Sequence, residues 1–257
     1  MNYQEQNKII DYQKQNNMMD YQELNRVINE KERGLEMSLA FPVLMRKVYT
    51  WMALALAITG LTAYGVASSP GLMQAIFGSR MIFFGLIIAE LALVWTVSGR
   101  LDKLSLSTAT LLFVLYSVLN GVTMAAIFVV YTMTSIATTF FITAGTFGAM
   151  ALVGYTTKTD LSKMGGILLM ALIGLIIAGI VNIFLHNSMF DLIISGIGVL
   201  IFVGLTAWDS KNIKRMLALA PDAGEQSQKI ALMGALSLYL DFVNLFIHLL
   251  RFFGSRD

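Results

Sequence analysis

The stretch "LSLYLDFVNLF", residues 236–246, decides how this chain is read. It lies in a run from Ile230 to Leu250 whose one charged residue is Asp241. A helical run of that length and apolarity can cross about 30 Å of hydrocarbon. A carboxylate near its middle costs about 3 kcal/mol even on translocon-insertion scales. Asp241 is therefore a functional residue by default, and the remaining sequence has to say what it does.

Composition puts the run in a membrane. Of 257 residues, 56% are hydrophobic and 13% charged, against about 45–50% apolar and 25% charged in soluble domains. Seven of the 16 acidic residues (Glu5, Asp11, Asp20, Glu23, Glu30, Glu32 and Glu36) fall before position 37, so the remainder is poorer in charge still. Apolar runs long enough to span recur from about residue 48 to the end. The chain has no cysteine, which excludes disulfides, thiol catalysis and Cys-ligated metals. The expected fold class is all-α, a polytopic membrane protein, with no cofactor and no nucleic-acid partner.

Residues 1–40 form a separate region. "NYQEQNK", "DYQKQNN" and "DYQELNR" repeat a Tyr-Gln unit at Tyr3, Tyr12 and Tyr21. A short polar Gln/Asn-rich repeat cannot bury a core and reads as a disordered or weakly helical cytoplasmic tail. It lacks the basic start and apolar stretch of a cleavable signal, so targeting falls to the first span.

The transmembrane domain, 41–254, divides into seven spans at about 48–67, 81–99, 104–129, 135–156, 165–185, 192–209 and 230–250. Ser68-Ser69-Pro70-Gly71 breaks the first from the second, and "YTMTS" at 131–135 divides the third from the fourth. Loop charge tests the count independently. Arg46 and Lys47 precede span 1, Arg100 and Lys103 follow span 2, Lys158 and Lys163 follow span 4, and Lys211, Lys214, Arg215 and Lys229 follow span 6. The intervening loops carry only Arg80. This alternation matches the positive-inside rule for seven spans with a cytoplasmic N-terminus; Arg251 and Arg256 run slightly against it.

On helix 7, Ser237, Asp241, Asn244 and His248 are spaced four, three and four, which is one helical face. The other faces read as Leu, Phe, Ile, Val and Ala. A polar stripe must face protein or water, so helix 7 belongs inside the bundle. Ser237 and Asn244 read first as interhelical hydrogen-bonding residues, and His248 as interfacial. Asp209 ends helix 6 and is the acid that Asp241 would meet. Asp241 lies roughly 18 Å of rise past Lys229, so a meeting requires a tilted helix or a later helix start. Two carboxylates together in low dielectric do not both ionise cheaply and titrate as a unit. Arg100, ending helix 2, is a counter-ion for them, bidentate in the best case. Glu90, mid-helix 2, is a third buried acid and lines a candidate cation path with Asn244. The set reads as a proton-sensitive switch with an arginine latch, with no catalytic residue and no metal site.

"GALSLYLDFVNLFIHLLRFFG" (234–254) and "AWDSKNIKR" (207–215), on a seven-span layout, resemble the Bax inhibitor-1 family, also called the transmembrane Bax inhibitor motif family. The resemblance covers about residues 40–254 and leaves the Tyr-Gln tail outside. It implies six helices around a central seventh and a pH-sensitive calcium leak through the bundle. It also implies that Asp209 and Asp241 form the proton sensor. Arg100 matches the family's arginine by position and Glu90 its helix 2 acid, while Trp208 stands where members with tyrosine are familiar. Cysteine-free composition and compact length suit a bacterial member in the plasma (inner) membrane.

The function expected is thus a calcium leak channel gated by the aspartate pair, with calcium ion, protons and the lipid bilayer as partners. The alternative is a non-conducting regulatory protein that binds other membrane proteins, such as a membrane protease. An enzyme is not expected: a diaspartyl intramembrane protease needs a Gly-x-Gly-Asp motif, which neither "AWDSK" nor "YLDFV" provides. Calcium seeks six to eight oxygens, so three acids describe a transient path rather than a storage site.

Overall fold

Several helices in the computed structural model, which describes residues 3–220 and 224–255, begin where the sequence supplies caps. The side chains of residues 3–17, 19 and 102 lie outside that description, as do Arg256 and, of the repeat, the Tyr3 and Tyr12 side chains. The order is α1 (Tyr3–Ala67), α2 (Pro70–Phe77), α3 (Arg80–Arg100), a 3-10 turn (Leu101–Lys103), α4 (Leu106–Met124), α5 (Ile127–Val130), α6 (Met133–Thr156), α7 (Ser162–Leu185), α8 (Ser188–Ala218) and α9 (Glu225–Phe253). Pro70 opens α2, where its missing N–H costs nothing. Side chains of Ser105, Thr132 and Asn187 accept backbone N–H bonds at the starts of α4, α6 and α8, at 3.2, 3.2 and 3.0 Å. Each such cap stabilises its helix by about 1 kcal/mol.

Among the described residues, seven helices are long and apolar enough to cross a membrane: α1, α3, α4 continued by α5, α6, α7, α8 and α9. The expected count and all-α class hold. The expected third span is interrupted, since α4 stops at Met124 and the short α5 follows.

Three element ends differ from the sequence reading. The Tyr-Gln segment is helical from Tyr3 and runs without a break into the first span. Its Gln, Glu, Lys, Leu and Arg residues are good helix formers, Pro42 is its first proline, and Arg26 Nε pairs with Glu30 one turn on, at 3.1 Å. Helix α8 continues to Ala218, well past Asp209, and α9 starts at Glu225 rather than Ile230. "KNIKRMLA" is polar enough to leave hydrocarbon yet has nothing that stops a helix.

Helix α9 forms the centre. It packs against α8, α1, α6 and α4, and Leu232, Ala235, Leu238, Tyr239 and Leu245 along it are all but inaccessible. Apolar side chains gain little by leaving lipid for protein, so close packing and interhelical hydrogen bonds hold such a bundle together. Gly154 of α6 illustrates the first: a Cβ there would strike the backbone carbonyl of Ala207 in α8. The second is illustrated by Ser210 Oγ, which donates to the Ala151 carbonyl at 2.8 Å. Helices α3 and α7 lie outermost. The first packs on α4 and the second on α8, and they share no seam with each other or with α9.

Candidate functional site

The antiparallel contact of α8 with α9 sets the site. Ile213 lies against Gly234, and the His248 ring against Gly198; this register brings Asp209 opposite Asp241. Their carboxyls lie close enough to interact directly. The level mismatch expected from the sequence came from ending helix 6 at Asp209. In the structure Asp209 lies more than two turns inside α8, which removes it. A carboxyl can donate only when protonated, so a hydrogen bond between these two acids requires one shared proton. Asp241 is buried, with its Oδ2 left without a partner, and Asp209 is half-buried.

All four stripe residues, Ser237, Asp241, Asn244 and His248, line one cleft of about 1070 Å³ between α3 and α7, joined by Asp209 and Glu90. The inward-facing stripe inferred from spacing is therefore present. Asn244 Nδ2 donates to the Leu240 carbonyl one turn back, at 2.8 Å. His248 differs from the interfacial position expected: it is 9% exposed and stacked on Phe202 at 5.6 Å, with Nδ1 unpartnered. Small Gly198 makes room for the ring.

Glu90 shares the cleft but not the aspartate contact. Its Oε1 accepts from Thr123 Oγ1 at 2.9 Å, and that hydroxyl also lies 3.0 Å from the Asn120 carbonyl. Arg100 is exposed at the end of α3 and, among the described residues, pairs with neither aspartate. Among the described residues no three His, Asp or Glu side chains gather closely enough to hold a metal ion.

The faces of α9 away from the stripe are not wholly apolar, which corrects the sequence reading. Tyr239 is fully buried, shares a 2.7 Å hydrogen bond with Thr59 Oγ1, and lies 3.1 Å from Asn120 Oδ1, to which its OH donates. Phe113 and Tyr116 each meet its ring edge to face at 5.8 Å. From Asn120 the network reaches Glu90 by way of Thr123, linking α1, α4, α9 and α3. Asn120 and Thr59, polar positions within otherwise apolar spans, were the signals available for it.

A smaller cavity of about 140 Å³ lies on the side of the basic loops, lined by Lys158, Asp160, Lys211 and Arg215 among others. The Asp160 carboxyl accepts the Ser162 N–H at 2.9 Å, and this bond holds its pKa below the ordinary carboxylate value.

Comparison with known proteins identifies the family. The family described as "Inhibitor of apoptosis-promoting Bax1" matches residues 42–257. "Inner membrane protein YbhL" of Escherichia coli K12 is 49% identical over 214 residues, covering 82% of this chain and 91% of that protein. An uncharacterized protein of Borreliella burgdorferi is 47% identical over 212 residues, covering 82% and 91%. An uncharacterized membrane protein of Streptococcus pyogenes is 37% identical over 213 residues, covering 82% and 92%. On the seven-helix fold, the extent of the match and these identities, the chain belongs to the Bax inhibitor-1 family.

Proposed function

We propose that the chain is a pH-sensitive cation leak, passing calcium among other ions, in which Asp209 and Asp241 together are the proton sensor. The observation that carries this reading is the carboxyl-to-carboxyl contact on the wall of a cleft that follows the polar stripe of α9. With one proton held, the two helices are tied at that level. When the proton leaves, two like charges face each other in low dielectric and the contact becomes repulsive. The other ionisable groups on this cleft are Glu90, Tyr116, His248 and Arg251. Glu90 and Asn244 offer oxygens along the path, too few for tight calcium binding, which suits transit. Arg100 serves as latch in a second arrangement, where the end of α3 turns toward the ionised pair. The membrane is the bacterial inner membrane, as the name of the Escherichia coli relative supports, with the N-terminus cytoplasmic.

Calcium uptake into proteoliposomes, measured from about pH 5 to 8, tests the reading. A flux that changes with pH is expected; no flux above protein-free vesicles, or one flat with pH, defeats it. A regulatory, non-conducting role has one observation in its favour. Tyr21, Leu24, Ile28 and Leu35 are exposed on α1 at spacings of three, four and seven, an apolar face open to another protein.

A further inference from the structure

The absent seam between α3 and α7 opens the cleft sideways. Its walls are apolar: Ile87, Leu91 and Trp95 from α3, Leu172 and Ile176 from α7. Leu91, Trp95 and Ile176 are 66%, 77% and 54% exposed, so no protein group covers them. At the floor the two carboxyls of Asp209 and Asp241 carry the negative charge. Asp241 is 5% exposed, and its Oδ2 has no hydrogen-bond partner. Such an orphaned buried acceptor is costly and calls for a donor. The cation at the far end of the cleft, Arg251, is already 3.7 Å from Asp191.

Three occupants can be compared. A hydrated cation satisfies the oxygen but leaves the walls bare. A neutral lipid chain covers the walls but offers the oxygen no donor. A cation carrying an alkyl chain does both, and it reaches the floor from the bilayer without crossing water. We propose that this cleft binds a cationic amphiphile, a primary alkylammonium whose chain lies between α3 and α7 and whose nitrogen donates to Asp241 Oδ2. The proposal concerns binding and not conduction, so it stands or falls separately from the leak.

The test uses the full chain in phosphatidylcholine nanodiscs, with 12-bromododecylammonium as a quencher of tryptophan fluorescence at Trp95 in the cleft wall. Bromododecanol and methylammonium serve as the chain-only and charge-only controls. Saturable quenching at about tenfold lower concentration than the alcohol is expected, the difference a charge-assisted hydrogen bond makes. Asp241→Asn should abolish that difference, and Ile176→Phe, which narrows the gap without touching the acids, should weaken binding of the amine. Should Asp241→Asn fail to fold, Ile176→Phe decides alone. Equal quenching by amine and alcohol would overturn the proposal, leaving simple partition into lipid. Full competition by methylammonium would overturn it too, leaving a plain cation site. So would an Ile176→Phe variant that binds the amine as the parent does.

Discussion

The carboxyl of Asp209 faces that of Asp241 across the α8–α9 contact, within a cleft that the whole polar stripe of α9 lines. An asparagine can keep a hydrogen bond at either position but cannot titrate. Asp209→Asn and Asp241→Asn are therefore each expected to lose most of the pH dependence of calcium flux from about pH 5 to 8. The same flux series on the two variants checks this. If both keep the parent's profile, the pair only holds helices together, an effect of about 1 kcal/mol per bond in membranes.

The arrangement of basic loops predicts opposite sides for the two ends of α9. Reporters fused after Leu219 and after Asp257 should sit in different compartments, the first cytoplasmic. One compartment for both would be incompatible with seven crossings.

Gly154 and Gly148 lie on the same helix and differ in what they face. A methyl at Gly154 meets the Ala207 backbone, which cannot swing aside, whereas nothing lies within 4 Å of one at Gly148. Gly154→Ala is expected to destabilise by about 1–3 kcal/mol through overpacking, and Gly148→Ala to be neutral. Thermal unfolding in detergent distinguishes them.

Tyr239→Phe removes the hydroxyl that joins Thr59 to Asn120 but keeps the ring that Phe113 and Tyr116 enclose. Thr59 still has the Ser117 carbonyl to donate to, so the loss should be about 1 kcal/mol. The pH profile of flux should be unaltered, because the aspartate pair lies on another face of α9.

How legible all this was varied with the kind of signal. The seven crossings could be read because Lys and Arg cluster in every second loop, and the stripe because spacing alone puts Ser237, Asp241, Asn244 and His248 on one face. Whether Asp209 reaches Asp241 is left open by the sequence, since composition marks where a helix leaves hydrocarbon and not where it ends. The Tyr239 network was invisible because the rotation of α1 and α4 about their axes is not encoded in nearly uniform apolar sequence. The gap between α3 and α7 was hidden for a related reason: Leu91 or Ile176 reads the same whether it faces lipid or a cleft.

Residues 20–36 are exposed throughout, and burial begins at Met37. Deleting residues 1–36 should therefore leave insertion, thermal stability and flux unchanged. A truncated chain that fails to insert, or inserts without flux, would contradict this.

The continuity of α1 gives those dispensable residues a mechanical character. From Asp20 to Lys47 the helix extends roughly 40 Å, and beyond that the same rod packs against α9. Pro42 deletes one backbone bond near the junction, where bending concentrates. A slack tether would absorb whatever grips its tip. A stiff lever with a single hinge would instead deliver the torque to the helix beside Asp241.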